Sequence, residues 1–283
     1  VAIGTPSDNT VATAKIQNLA VTTDKIAANA VTAAKIATGA DFTFNSIGIG
    51  KGANSVAGNT VVGESALDAA VTGGLNTAIG NTALTANTSG QYNTAVGAGA
   101  LESNTTAANN TAVGKWALTT NTTGSENTAV GEEALQLNTT GHSGSAFGKD
   151  ALKANTTGLQ NTAIGSYALD ANTTANNNTA VGSYSLSANT TGASNTAVGT
   201  NALDANTTAS ENTGIGYAAL GANTTGTRNT AVGYAALDAC TTGDDNVAVG
   251  QAALSNATTA SNNTAVGKGA MLDNTTGGNN TAV

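Results

Sequence analysis

Counted from Asn59 as position zero, polar and apolar residues recur along this chain every 17 residues as far as Asn280, with no insertion or deletion. Position three is apolar in every copy, from Val62, Ile79 and Val96 through Phe147 to Val283, and position eight is Leu from Leu67 to Leu254, then Met271. Gly stands at position four, two variable residues follow, and Ala usually occupies position seven. Positions eleven to fourteen read Asn-Thr-Thr-Gly or Asn-Thr-Thr-Ala, as at 121–124 and 172–175. The opening of the unit is most often Asn-Thr-Ala-Val-Gly, as at 93–97.

This period does not suit a helix. Seventeen residues are not a near-whole number of 3.6-residue turns, and each unit carries Gly and Asn-Thr-Thr breakers. Thr-Ala-Val is a β-favouring triplet whose alternation sends Thr and Val to one face. The Gly after it allows a bend, Ala-Leu reads as a second short strand, and Asn-Thr-Thr-Gly turns the chain back. The pattern predicts an all-β fold, a parallel β-solenoid or β-roll in which each unit is one coil of two strands and two corners.

Stacked about 4.8 Å apart, the coils between Asn59 and Asn280 make a rod on the order of 60 Å long. Like residues then form ladders. Val/Ile and Leu ladders are expected to fill the dry interior, and Asn ladders to satisfy their own amides from coil to coil. Two large apolar side chains per coil make a thin core. The sequence therefore predicts association, with an Ala-rich face packed against sister chains in a homotrimeric fibre.

The first sixty residues follow another rule. Residues 11–40 repeat every ten, with Val11, Val21 and Val31 alternating with Ile16, Ile26 and Ile36, and Lys15, Lys25 and Lys35 in register. One apolar residue in five fits neither a helical stripe nor strand alternation. It suits a thin intertwined stalk in which three chains share a core; a short helical coiled segment is the alternative. The expected organisation is a stalk over 1–40, an adaptor over 41–58 and a solenoid shaft over 59–283. The chain opens on Val1 and stops within a repeat at Val283, which reads as a segment of a longer protein.

Composition narrows the function classes. Aromatic residues are 3% and charged residues 9%, against about 25% charged in an average soluble domain. Such a composition also fits disorder, but disorder tolerates drift in length and stacked coils do not. Net charge is −8, and the nine basic residues are scattered, so the clustered Lys and Arg that nucleic acid requires are missing. A single Cys excludes an internal disulfide framework and leaves too few soft ligands for structural zinc. No apolar run approaches the roughly 18 residues of a membrane span, so this segment is not expected to insert.

Candidate chemistry is sparse. His142 is the one histidine and has no nucleophile and carboxylate in register with it; a surface role is expected. Asp68, Asp170, Asp204 and Asp238 follow the Leu but are separated by coils carrying other residues, and read as solvated carboxylates rather than a calcium ladder. Cys240 and Ala257 stand where other coils have Asn, as tolerated substitutions. The Gly-rich stretches end in no Gly-Lys-Ser/Thr box. Asn-x-Thr triplets match glycosylation acceptors, but at this density they are turn chemistry. No catalytic, cofactor or metal residue is assigned. Positions five, six, fifteen and sixteen vary most and are expected to face outward. Trp116, Tyr167, Tyr184, Tyr217 and Tyr234 stand among them, and exposed aromatic rings there can stack on sugars or merely decorate a passive shaft.

The run Val-Thr-Thr-Asp-Lys-Ile-Ala-Ala-Asn-Ala at 21–30 resembles the degenerate repeats of phage tail-fibre stalks, and the Asn-Thr-Ala-Val-Gly units resemble repeats of fibre proteins that often end in an intramolecular chaperone. Residues 46–63 are similar to the head repeat of trimeric autotransporter adhesins, a left-handed parallel β-roll whose coil is a few residues shorter. The tail-fibre resemblance covers nearly the whole chain and implies a trimeric virion shaft that joins other tail proteins and holds out a distal tip for a host glycan or receptor. A bacterial surface adhesin is the alternative, and an ice-binding solenoid a remote one, because adjacent Thr-Thr pairs fall in the turn rather than on a flat Thr-x-Thr face. Neither resemblance carries over a catalytic or receptor-binding residue.

Overall fold

The computed structural model describes residues 42–44 and 47–283; the predicted stalk over 1–40 lies outside the described residues. From residue 59 onward the chain winds into a parallel β-solenoid of 17-residue coils. Strands β1 (Phe42–Phe44), β2 (Ile47–Gly50) and β3 (Thr60–Gly63) open the sheet, β4 (Thr77–Ile79) follows, and one strand per coil continues to β15 (Thr264–Val266) and β16 (Thr281–Ala282). All belong to one 16-stranded sheet in sequence order. From β3 onward the pairing is parallel and in register, Thr on Thr and Ala on Ala, as Thr94, Ala95 and Val96 on Thr111, Ala112 and Val113. The start differs: β1 pairs antiparallel with β2, and β2 antiparallel with β3, so a hairpin covers the first strand edge of the solenoid. A 3-10 turn at Ala53–Ser55 lies between β2 and β3, with Asn54 Nδ2 donating to Val71 O at 3.0 Å.

Each coil has one strand, not the two expected. The Ala-Leu segment is a turn, because the Leu takes left-handed backbone: φ is 48° at Leu67, 52° at Leu118 and 51° at Leu254. That geometry costs an L-residue about 1–2 kcal/mol. Burying the leucine side chain gains about 1.5–3 kcal/mol, and every leucine from Leu67 to Leu254 at this position is 0–1% exposed. The turn is also hydrogen-bonded between coils, as Leu118 N donates to Ala134 O at 3.0 Å and Trp116 N to Ala98 O at 2.9 Å. Backbone pairing thus runs around much of the coil without extended geometry.

The interior holds different residues from those expected. Ala112 at position two is 0% exposed and Ala117 and Leu118 are buried with it, whereas Val113 is 36% exposed. Strand alternation explains this: Thr and Val share a face, and that face points outward. The Val/Ile ladder is therefore not core, and the alanines of positions two and seven lie inside the chain, not on an outer face. The core is the Leu ladder, two Ala ladders and two Asn ladders. The space beneath the strand is small: at Gly214, the position-two glycine, an added Cβ would stand 3.3 Å from Leu203 Cγ of the coil before.

The Asn ladders behave as anticipated. At position zero, Asn110 N donates to Asn93 Oδ1 at 3.0 Å, and Asn110 Nδ2 to Gly124 O at 3.0 Å. At position eleven, Asn121 Nδ2 donates to Asn104 Oδ1 at 3.0 Å and to Gly124 O at 2.9 Å. Threonines at position twelve add a third ladder, with Thr122 Oγ1 donating to Thr139 O at 3.0 Å. Apart from Asn223, whose Oδ1 has no partner, the buried amides of these ladders are answered by neighbouring coils, which is why Asn recurs at fully buried sites.

Candidate functional site

The sheet's outer face is the most regular surface of the molecule. Thr at position one is half-buried and the residue at position three half-buried to exposed, with Ile79 at 38%, Phe147 at 41% and Ile164 at 43%. Ile49 pairs with Val62 in register, and Ile47 and Ile49 are exposed, so the apolar line continues onto β2. Positions one and three carry no charge in any coil; Ser145 and Val247 are the departures from Thr. The result is an uncharged strip of hydroxyl and methyl groups along the rod. Sequence reasoning missed it because a persistent apolar position reads as core. The signal was the threonine two residues earlier, which shares the valine's face and recurs just as faithfully.

One corner of the coil, at positions five and six, carries Trp116, Tyr167, Tyr184, Tyr217 and Tyr234. Tyr167 and Tyr184 stack with ring centroids 5.0 Å apart, and Tyr217 and Tyr234 at 5.4 Å. Tyr184, Tyr217 and Tyr234 are 47–57% exposed. Trp116 stands apart, three coils before Tyr167, with Lys115 Nζ 3.7 Å from its ring centroid. Its indole lies over Gly99 of the coil before, where an added Cβ would come within 2.5 Å of Cδ1. The structure therefore gathers the five residues into two stacked pairs and one isolated ring, not into one cluster.

Between them runs an ion-pair group that sequence reasoning did not single out. Lys149 Nζ lies 3.6 Å from Glu132, and Lys153 bridges Glu133 and Asp150, the latter at 3.2 Å. The Glu133 carboxylate, before other influences, holds the Lys153 ammonium above its ordinary range. Asp150 departs from the outward-facing corners, at 4% exposed. Further along, Arg228 grips Asp245 with two bonds of 2.6 and 2.8 Å.

His142 is exposed, and its Nδ1 lies 3.3 Å from Ser143 Oγ, which donates to Glu126 Oε2 at 3.3 Å. A shallow hollow of about 360 Å³ lined by Thr123, Ser125, Glu126, Thr140 and His142 opens beside it. The order is wrong for nucleophilic catalysis, which needs the imidazole between hydroxyl and carboxylate. Cys240 is buried, and burial pushes its thiol pKa up, the opposite of an activated thiolate. Among the described residues no group of three His, Cys, Asp or Glu is placed to hold a metal ion, and no helix is long and apolar enough to cross a membrane.

No protein family, no curated protein and no solved structure matches this chain.

Proposed function

We propose that this chain is the shaft of a homotrimeric fibre, as in a phage tail fibre, and that its work is mechanical. The rod holds a distal recognition tip away from the particle and transmits its contact. The observation that supports this is the uncharged Thr/Val strip along the outer face. Three identical copies in parallel register set these strips against one another at a common axis, Thr to Thr and Val to Val, while the charged corners stay in water. Exposed apolar strips of this length mark interaction surfaces. Such packing also supplies the burial that the thin Ala/Leu core lacks.

Sedimentation of the purified chain tests the assembly. Three chains per particle is the expected result, and the V113D/V130D pair, which sets carboxylates on the strip, should reduce it while the β-sheet circular dichroism persists. A wild-type chain that sediments as a monomer overturns the trimer. Antibody labelling in electron micrographs separates a virion tail from the surface of a bacterium, the adhesin alternative.

A second reading draws on the same strip. Bare rather than covered, an outward array of Thr and Val is a surface on which water can order, although its row is Thr-x-Val and not Thr-x-Thr. Inhibition of ice recrystallisation by a monomeric chain would favour it over the shaft.

A further inference from the structure

The position-eleven ladder is continuous from Asn87 to Asn223, each side chain donating Nδ2–H to Oδ1 of the one before through eight links of 2.8–3.2 Å. The next two rungs are Cys240 and Ala257, both fully buried, and Asn returns at Asn274. The Cys240 thiol reaches Gly243 O at 3.7 Å and offers nothing to the coil before. Asn223 Oδ1, which by the sense of the ladder points toward position 240, is left buried without a hydrogen-bond partner in a residue that is 0% exposed. A buried amide oxygen loses water on folding and recovers nothing here.

Only one of the two amide ladders crosses this boundary. At position zero, Asn229 N donates to Asn212 Oδ1 at 2.9 Å and Asn246 N to Asn229 Oδ1 at 3.0 Å. Coil 144 is the useful contrast. Gly144 lacks the position-zero side chain, but its own N–H donates to Asn127 Oδ1 at 2.8 Å, so that acceptor is still satisfied. The position-eleven ladder also passes that coil intact, through Asn138 and Asn155. The two interruptions are therefore unequal.

In a solenoid, stability is a sum of coil and nearest-neighbour terms, and opening begins at the weakest interface. We infer that the rod carries a built-in yield seam between Asn223 and Ala257. Under heat, denaturant or pull, the coils part here first, and those up to residue 228 stay wound while Cys240 becomes accessible. The inference does not depend on the shaft reading, since the seam lies inside each coil stack whether the chain stands alone or in an assembly.

Cys240 is its own reporter. In urea below the global transition, a thiol reagent should label wild-type Cys240 at least about tenfold faster than the thiol introduced in C240N/S185C. Ser185 is a suitable control because it is equally buried and lies between the intact rungs Asn172 and Asn189. Hydrogen exchange provides the second readout. Backbone amides over 229–262 should exchange faster than those over 172–206, and C240N/A257N should remove the difference. Equal labelling of both thiols, tracking global unfolding, overturns the seam. So does an exchange difference that survives in C240N/A257N.

Discussion

The side chain of Asn121 donates to Oδ1 of Asn104 at 3.0 Å, and neither residue is exposed. Asn121→Ala leaves that oxygen buried without its donor and opens a small void. Stability should fall by about 2–4 kcal/mol. Thr123→Ala, two residues on and exposed, should stay within about 0.5 kcal/mol. Urea unfolding followed by circular dichroism measures both; equal effects would mean that the ladder contributes nothing beyond turn chemistry.

Leu118 and Val113 recur equally along the chain but have opposite surroundings, at 0% and 36% exposed. Leu118→Ala should cost about 2–5 kcal/mol through lost burial and a cavity. Val113→Thr, measured on a single dispersed chain, should change stability by no more than about 0.5 kcal/mol. A large loss from Val113→Thr under those conditions would return the valine ladder to the core.

The solenoid and its register were legible because a stacked coil tolerates no change of length, and the 17-residue step from Asn59 to Asn280 has none. The Asn ladders were legible too, since only partners in neighbouring coils explain so many buried amides. The inside and outside of the strand were not. Val113 looks like core until Thr111 is placed on the same face, which leaves Ala112 as the inward residue. The single strand per coil was hidden because nothing about Leu118 announces a φ of 52°. Cys240 was visible as a substitution, but its consequence at Asn223 required the direction of each Nδ2-to-Oδ1 bond. The aromatic candidates stand at one corner, Tyr184, Tyr217 and Tyr234 exposed and Tyr167 half-buried, and their separation into Tyr167–Tyr184 and Tyr217–Tyr234 depends on which coils stack.

Backbone strain gives a pair of changes with opposite signs. Gly131 has φ 140°, and a Cβ there would stand 2.4 Å from Gly148 O in the next coil. Gly131→Ala should therefore cost about 3 kcal/mol or more. Thr82 is β-branched with φ 55°, at a position where two other coils carry Gly99 and Gly269. Thr82→Gly should raise stability by about 0.5–1 kcal/mol, the relief of left-handed strain exceeding the added freedom of the unfolded chain. Thermal unfolding of the two variants checks both signs.

Asp204 stands beside the buried Leu203, and burial pushes its carboxyl above the ordinary value of 3.8 against the pull of the Ala205 backbone N–H and its own. Asp170 is raised in the same way, again mainly by burial. A carboxyl raised on folding binds its proton more tightly in the folded chain. Its contribution to stability is therefore present below the unfolded pKa and is lost as pH rises through the folded pKa, in a window just above 3.8. Asp204→Asn removes the charge that burial disfavours. The variant should be more stable than wild type near about pH 7, with the advantage gone near about pH 3. Asp245 works in the opposite direction, its carboxyl held low by Arg228, so its contribution fades as pH falls. Because Asp245 is common to both proteins, the difference between wild type and Asp204→Asn isolates the half-buried carboxylate. Parallel stability curves across that pH range would show that Asp204 titrates as freely in the folded chain as in the unfolded one.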